Sequence, residues 1–237
     1  MPAEWRVEER TEPGASLHGS WPTVAEDPGR RTVALCRVTD TCLVLGSTQS
    51  ELVVDRSRVE AAGISVVRRS SGGGAVLVTP ADPVWVDVWI PAGDPLWHPQ
   101  VDRAFDWLGR AWVEALARTG ISGLTAHDQG FVACTRWSSV VCFGGVGAGE
   151  VVTGDGRKVV GLAQRRNRRG AWFHSACVLR WEAAPLVELL ALDPDERRAA
   201  VIGLEGAVTG AADLADGLGV AAPDGLALAY SLIASLP

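Results

Sequence analysis

Apolar and polar positions alternate with period two over 84–89, where Val84, Val86 and Val88 interleave with Trp85, Asp87 and Trp89. That period predicts a sheet strand. Strands are also predicted over 32–36, 42–46, 65–68 and 75–78, from β-branched content and turn-forming borders. The strands over 75–78 and 84–89 read as an antiparallel pair joined by Thr79-Pro80-Ala81-Asp82-Pro83. Further strands are expected around 130–134, 140–143, 150–153, 158–164 and 172–179, with Asp155-Gly156 as a hairpin turn. A different period marks 102–119. There Phe105, Leu108, Trp112, Ala115 and Leu116 recur at helical spacing, and Gly120 supplies a stop. Shorter helices are predicted over 50–62, 183–192, 194–204 and 226–236. Residues 1–30, rich in Pro, Glu, Gly and Ser, read as an irregular lead-in. Residues 31–237 then form one α+β domain with a mixed or antiparallel sheet, flanking helices and a helical C-terminal part.

Composition narrows the function classes. The 237 residues are 47% hydrophobic and 21% charged, enough for a core and without a disorder signature. A net charge of −6 argues against nucleic acid as a partner. No apolar run is long enough for a bilayer and Met1-Pro2-Ala3-Glu4-Trp5-Arg6 is no secretory signal, so no membrane association and a cytoplasmic location are expected. Five cysteines without a CxxC pair, and four scattered histidines, predict free thiols and no metal site. The basic residues are uneven: Arg157, Lys158, Arg165, Arg166, Arg168 and Arg169 fall within thirteen positions. Such a cluster reads as a solvated face, or as a dock for an acidic partner such as an acyl carrier protein or lipoyl-type domain.

Two segments carry candidate chemistry. Arg68-Arg69-Ser70-Ser71-Gly72-Gly73-Gly74-Ala75-Val76 runs a basic pair into three glycines, whose amides can converge on one atom of a ligand. It is neither a P-loop nor a dinucleotide fingerprint. Gly156-Arg157-Lys158-Val159-Val160-Gly161-Leu162-Ala163-Gln164 sets Lys158 in a strand pattern sixteen residues after Cys142. A thiol beside a cation is an activated nucleophile, with Lys158 as the candidate cation across a hairpin. Taken singly, Cys142 also reads as strand packing and Lys158 as a solvated hairpin residue. His174, in the next strand, reads as a residue that orients a neighbour.

Together these segments resemble the lipoate–protein ligase and octanoyltransferase family, which shares the biotin/lipoate ligase-like catalytic domain. Leu45-Gly46-Ser47-Thr48-Gln49 is similar to the family's early Gly-x-x-Gln turn, and His174 reinforces the match. Ser138-Ser139-Val140-Val141-Cys142-Phe143, followed by Glu150 and Lys158, resembles the cysteine-dependent octanoyltransferase branch. Leu77-Val78-Thr79-Pro80 stands where the family usually has His-Asp. The resemblance implies an acyltransferase with Cys142 and Lys158 as catalytic residues. Arg69, Ser71, Gly72, Gly73, Gly74, Ala75, Gly161, Ala163 and His174 would contact the acyl group, and Val76, Val86 and Leu162 would line an apolar tunnel. Octanoate or lipoate would pass from acyl carrier protein, or another acyl donor, to a lysine of a lipoyl domain or glycine-cleavage carrier protein. No cofactor is needed for that reaction. One alternative is an ATP-dependent lipoate–protein ligase, which would use ATP and Mg. Another is a non-catalytic acyl-binding relative.

Overall fold

In the computed structural model of the protein, residues 5–19 and 29–237 are described. The chain begins with β1 (Arg6–Glu12), α1 (Gly14–Gly19), β2 (Thr32–Val38) and β3 (Cys42–Leu45). There follow α2 (Arg56–Ala61), β4 (Ser65–Arg68), β5 (Val76–Val78), β6 (Val84–Pro91) and α3 (Asp106–Arg118). Next come β7 (Leu124–Ala126), β8 (Val151–Thr153), β9 (Lys158–Asn167) and β10 (Gly170–Cys177). Four helices close the chain: α4 (Ala183–Val187), α5 (Pro194–Ala207), α6 (Ala211–Leu218) and α7 (Gly225–Ala234). None of the described helices is long and apolar enough to cross a membrane.

Seven strands form one sheet in the order β1-β2-β6-β10-β9-β8-β7, antiparallel throughout except for the β1–β2 pair. A second sheet of three, β4-β3-β5, pairs β3 with β4 in parallel and with β5 antiparallel. This is the mixed α+β architecture that the sequence pattern implies.

β6 is buried along nearly its whole length because both of its faces are covered. Val84, Val86, Val88 and Ile90 join the main core with Trp107, Leu108 and Trp112 of α3 and Leu228 and Leu232 of α7. Trp85, on the opposite face, packs with Leu17 of α1 and with Val44, Val67 and Val78 of the small sheet. A third cluster ties Leu43 and Leu45 to α4, α5 and the Trp137–Val141 segment. The functional residues sit where the two sheets approach each other.

Several elements differ from the sequence expectation, each for a local reason. The lead-in is ordered in part: β1 extends the large sheet beside β2, and α1 buries Leu17. The strands β5 and β6 do not pair; each joins a different sheet, so the expected hairpin is a crossover between sheets. The helix expected over 50–62 is broken because the Asp55 side chain caps a new start by accepting the Arg58 amide. Residues 130–134 form no strand and contribute one isolated bridge, Val132 to Val146. Residues 140–143 form no strand either. Val140 and Val141 both donate to the Trp137 carbonyl, and a short 3-10 turn follows over Cys142–Gly144. The apolar side chains of this run are still buried, but in two clusters rather than along a ladder. The helix α6 falls in the Gly/Ala-rich stretch that carried no helix prediction.

Candidate active site

The site is built from two backbone segments in close contact. The loop Ser70–Gly74 leaves β4, and the turn at Cys142 lies against it: Ala75 donates to the Val140 carbonyl at 2.6 Å and Cys142 donates to the Ala75 carbonyl at 3.0 Å. At Gly46, Gly73 and Gly74 only glycine fits. A Cβ on Gly74 would fall 2.6 Å from the Val140 carbonyl carbon, and one on Gly46 would fall 1.9 Å from the Gly73 oxygen. Gly73 has φ +100°, and a Cβ there would lie 3.3 Å from the Cys142 sulfur. Gln49 clamps the assembly, accepting from the Gly46 amide (3.2 Å) and donating to the Val140 carbonyl (2.8 Å). Among the described residues, the amides of Gly72, Gly73 and Gly74 meet no backbone acceptor.

Lys158 is the only lysine in the chain. Its side chain is 1% exposed and pairs with Glu150 at 2.6 Å, itself 5% exposed. The ammonium also donates to the carbonyls of Cys142 (3.2 Å) and Gly145 (3.0 Å). An ammonium has three protons, so all are committed. Glu150 is equally occupied, accepting the amides of Gly147 and Leu162. In this geometry the Lys158 ammonium is turned to Glu150 and to the carbonyls of the Cys142 turn. It pins the turn that carries Cys142, and its charge is neutralised by Glu150.

The cation beside the sulfur is Arg69, whose Nη2 lies 3.8 Å from Cys142 Sγ. Arg69 is 5% exposed and its guanidinium otherwise meets carbonyl oxygens of Gly72, Gly74 and Val44. No carboxylate pairs with it among the described residues.

Cys142 lies at the junction of two pockets. One is walled mainly by apolar side chains including Val44, Val76, Trp85, Phe143 and Leu162, with Gly161, Ala163 and His174 also contributing. The other is lined by Gly72, Gly73 and Gly74, with Ser138, Lys158 and Gln164. His174 of β10 pairs with Asp87 of β6 at 2.7 Å, and Trp85 donates to the same carboxylate oxygen. His18 of α1 stacks on Trp85 at 4.4 Å. Burial, followed by the charges of His174 and Arg69, lowers its pKa from 6.5 to about 3. The thiols of Cys36, Cys42 and Cys177 are pushed up by burial, Cys42 to about 12, which suits packing rather than nucleophilic roles.

The model of the lipoyl protein ligase A/B catalytic domain matches residues 22–222. The chain belongs to this family. A curated relative, octanoyltransferase LipM from an Exiguobacterium species, is 29% identical over 152 residues. That match covers 62% of this chain and 53% of the relative, so it spans about half of the relative's length. Among solved structures, a bipartite lipoate protein ligase studied with its E2 lipoyl domain, from Thermoplasma acidophilum, superposes with a TM-score of 0.72 at 18% identity. That superposition covers 98% of this chain and 82% of the other. Lipoate-protein ligase A bound with ATP gives 0.59 at 18% identity, covering 98% and 94%. At such identities the likeness is one of fold.

Within this member of the lipoyl ligase family, the sequence-derived residues fall in three groups. Cys142, Arg69, Gly161, Ala163 and His174 line the apolar pocket, and Gly72, Gly73, Gly74 and Lys158 line the polar one. Ser71 and Ala75 line neither. The Ser71 carbonyl accepts the Ser47 amide, and Ala75, fully buried, bridges to Val141. Of the proposed tunnel wall, Val76 and Leu162 face the pocket, whereas Val86 points to the helix side of the sheet. Sequence reasoning gave no role to Asp87, although a lone carboxylate in Val-Trp-Val-Asp-Val-Trp signals a buried partner. It also passed over His18, which lay in the supposed lead-in and carried no local signal.

Two outcomes follow. Replacing Lys158 with Met leaves Glu150 buried without its cation and is expected to cost about 3–5 kcal/mol in urea unfolding. An unchanged midpoint would show that the pair contributes nothing to the fold. For His18, the unfolded chain binds a proton below pH 6.5 that the folded chain excludes until about pH 3. Its contribution to stability is thus fully present above 6.5 and is lost as pH falls through that window, at up to about 1.4 kcal/mol per pH unit. Between 6.5 and about 5, above the carboxylate range, His18→Phe should flatten the stability–pH curve. An identical slope in the variant would remove His18 as its source.

Proposed function

We propose that this chain is an acyltransferase that moves an octanoyl or lipoyl group from a thioester donor to a specific lysine of a lipoyl or glycine-cleavage carrier domain through Cys142. The observation that carries this reading is the thiol's position. It stands beside a buried guanidinium with no carboxylate partner, where an apolar pocket meets a polar mouth lined by free glycine amides. The name of the LipM relative supports the acyl group and the transfer chemistry.

The anionic sulfur is the reactive form of a cysteine, and a fixed positive charge stabilises it. Arg69 supplies that charge, because Lys158 is neutralised. The acyl chain enters the apolar pocket, whose wall is almost wholly apolar side chain. The Cys142 sulfur attacks the thioester carbonyl, the new C–S bond forms, and the donor leaves as a thiol. Negative charge on the carbonyl oxygen during attack is met by the amides of Gly72–Gly74 and by Arg69. The acceptor amine then attacks the acyl-enzyme. The bond to Cys142 breaks, the amide forms, and the amine proton passes to the departing sulfur. Thioester exchange is close to balanced and amide formation is downhill, so the cycle requires no nucleotide. Lys158 and Glu150 act throughout as positioning residues that hold the turn.

Intact-protein mass spectrometry after mixing with octanoyl-acyl carrier protein, without nucleotide, tests this directly. The wild type should gain one octanoyl group and Cys142→Ala none. Arg69→Met should load slower by about 100-fold, while Arg69→Lys, which keeps the charge, recovers part of the rate. Carrier modification that appears only with ATP and free acid, and persists in Cys142→Ala, would identify a ligase instead.

A further inference from the structure

The arginines of this chain divide into two populations. Exposed Arg37, Arg56, Arg118, Arg180 and Arg198 each have a carboxylate partner. Arg103, Arg110, Arg136, Arg165, Arg168 and Arg169 are exposed and, among the described residues, form no ion pair. The first two belong to α3 and the turn before it; the other four border or approach the polar mouth. Arg165 follows Gln164, a residue of the polar mouth, and donates to the Ser70 carbonyl beside the glycine loop. Arg168 and Arg169 form the tip of the β9–β10 hairpin. Arg136 stacks on Trp137, two residues before Ser138 of the same mouth. Phe131, 67% exposed, also lines the opening, its ring against Gly145.

An exposed aromatic at an opening that unpaired arginines approach has the composition of a protein-binding surface. The chain as a whole carries −6, so this patch is a local reversal of sign that orients an acidic partner toward the mouth. We infer that it docks the donor, an acidic acyl-carrier domain bearing the thioester on a long flexible arm; this rests on the transfer reaction proposed above. The spacing favours the donor over the acceptor. The hairpin tip lies roughly 13 Å beyond Gln164 at about 3.3 Å per residue, so a partner seated on Arg168 and Arg169 is held away from Cys142. An extended arm crosses that gap, whereas a lysine side chain needs its own domain pressed to the opening.

The deciding variant is Arg168→Glu/Arg169→Glu, which touches neither pocket. Its rate of Cys142 acylation is compared with wild type using two donors, the octanoyl thioester of an acidic acyl carrier protein and octanoyl-pantetheine. The expected result is a loss of roughly tenfold or more with the carrier donor at low salt and no change with pantetheine. At about 0.5 M salt, where charges are screened within a few ångströms, wild type should fall to the level of the variant. Equal rates with the carrier donor, or an equal loss with both donors, overturns the assignment. So does a variant that loads normally and slows only in transfer to a lipoyl domain, which would give the surface to the acceptor. Should neither donor acylate the wild type, the transfer reaction itself fails. Titration of the carrier protein against both forms then decides the surface: weaker binding by the variant supports it, and unaltered affinity overturns it.

Discussion

One buried ammonium organises the centre of this molecule. Lys158 has no access to water, so every proton it carries must find a protein acceptor. It finds one carboxylate and two carbonyls, and those carbonyls belong to the turn that presents Cys142. Glu150 spends its remaining lone pairs on amides at Gly147 and Leu162. The pair thus joins the start of β9, the approach to β8 and the Cys142 turn into a single polar knot. A turn with no strand ladder of its own is held in place by this knot and by its contact with the glycine loop.

Neutralising Lys158 has an electrostatic consequence. With its charge cancelled by Glu150, the field at the sulfur is set by Arg69. That residue reaches its position because β4 ends in an Arg-Ser-Ser-Gly-Gly-Gly loop that folds back over the guanidinium, with the carbonyls of Gly72 and Gly74 as acceptors. Carbonyl dipoles solvate the cation without cancelling it. The site therefore holds one compensated and one uncompensated buried cation within the same few residues, and only the second can act on a developing negative charge.

The division between pockets has a similar cause. On β6, residues of one parity face α3 and α7, and those of the other parity face the small sheet. Trp85 and Asp87 therefore look toward the apolar pocket, where Asp87 fixes His174 while Trp85 receives His18 on its face. Burial keeps His18 neutral against that wall. Arg69 stands at the Cys142 end of that pocket, and the exposed arginines lie on the other side, by the glycine loop.

The sequence by itself determined the elements whose hydrogen bonds are local or whose period is strong. α3 is legible from its spacing, the β8–β9 turn from Asp155-Gly156, and β6 from strict alternation, because each pattern is imposed by its own backbone geometry. The glycine loop, Cys142 and Lys158 stood out as a set through the family resemblance, whereas singly Cys142 also reads as packing and Lys158 as a solvated hairpin residue. Tertiary structure alone decided the rest. Whether Val140–Phe143 pairs as a strand or folds as a turn depended on Ala75, more than sixty residues away. Which buried cation is paired with a carboxylate depended on where Glu150 came to rest. Neither spacing nor composition records those distances, because they arise only when two sheets are brought face to face.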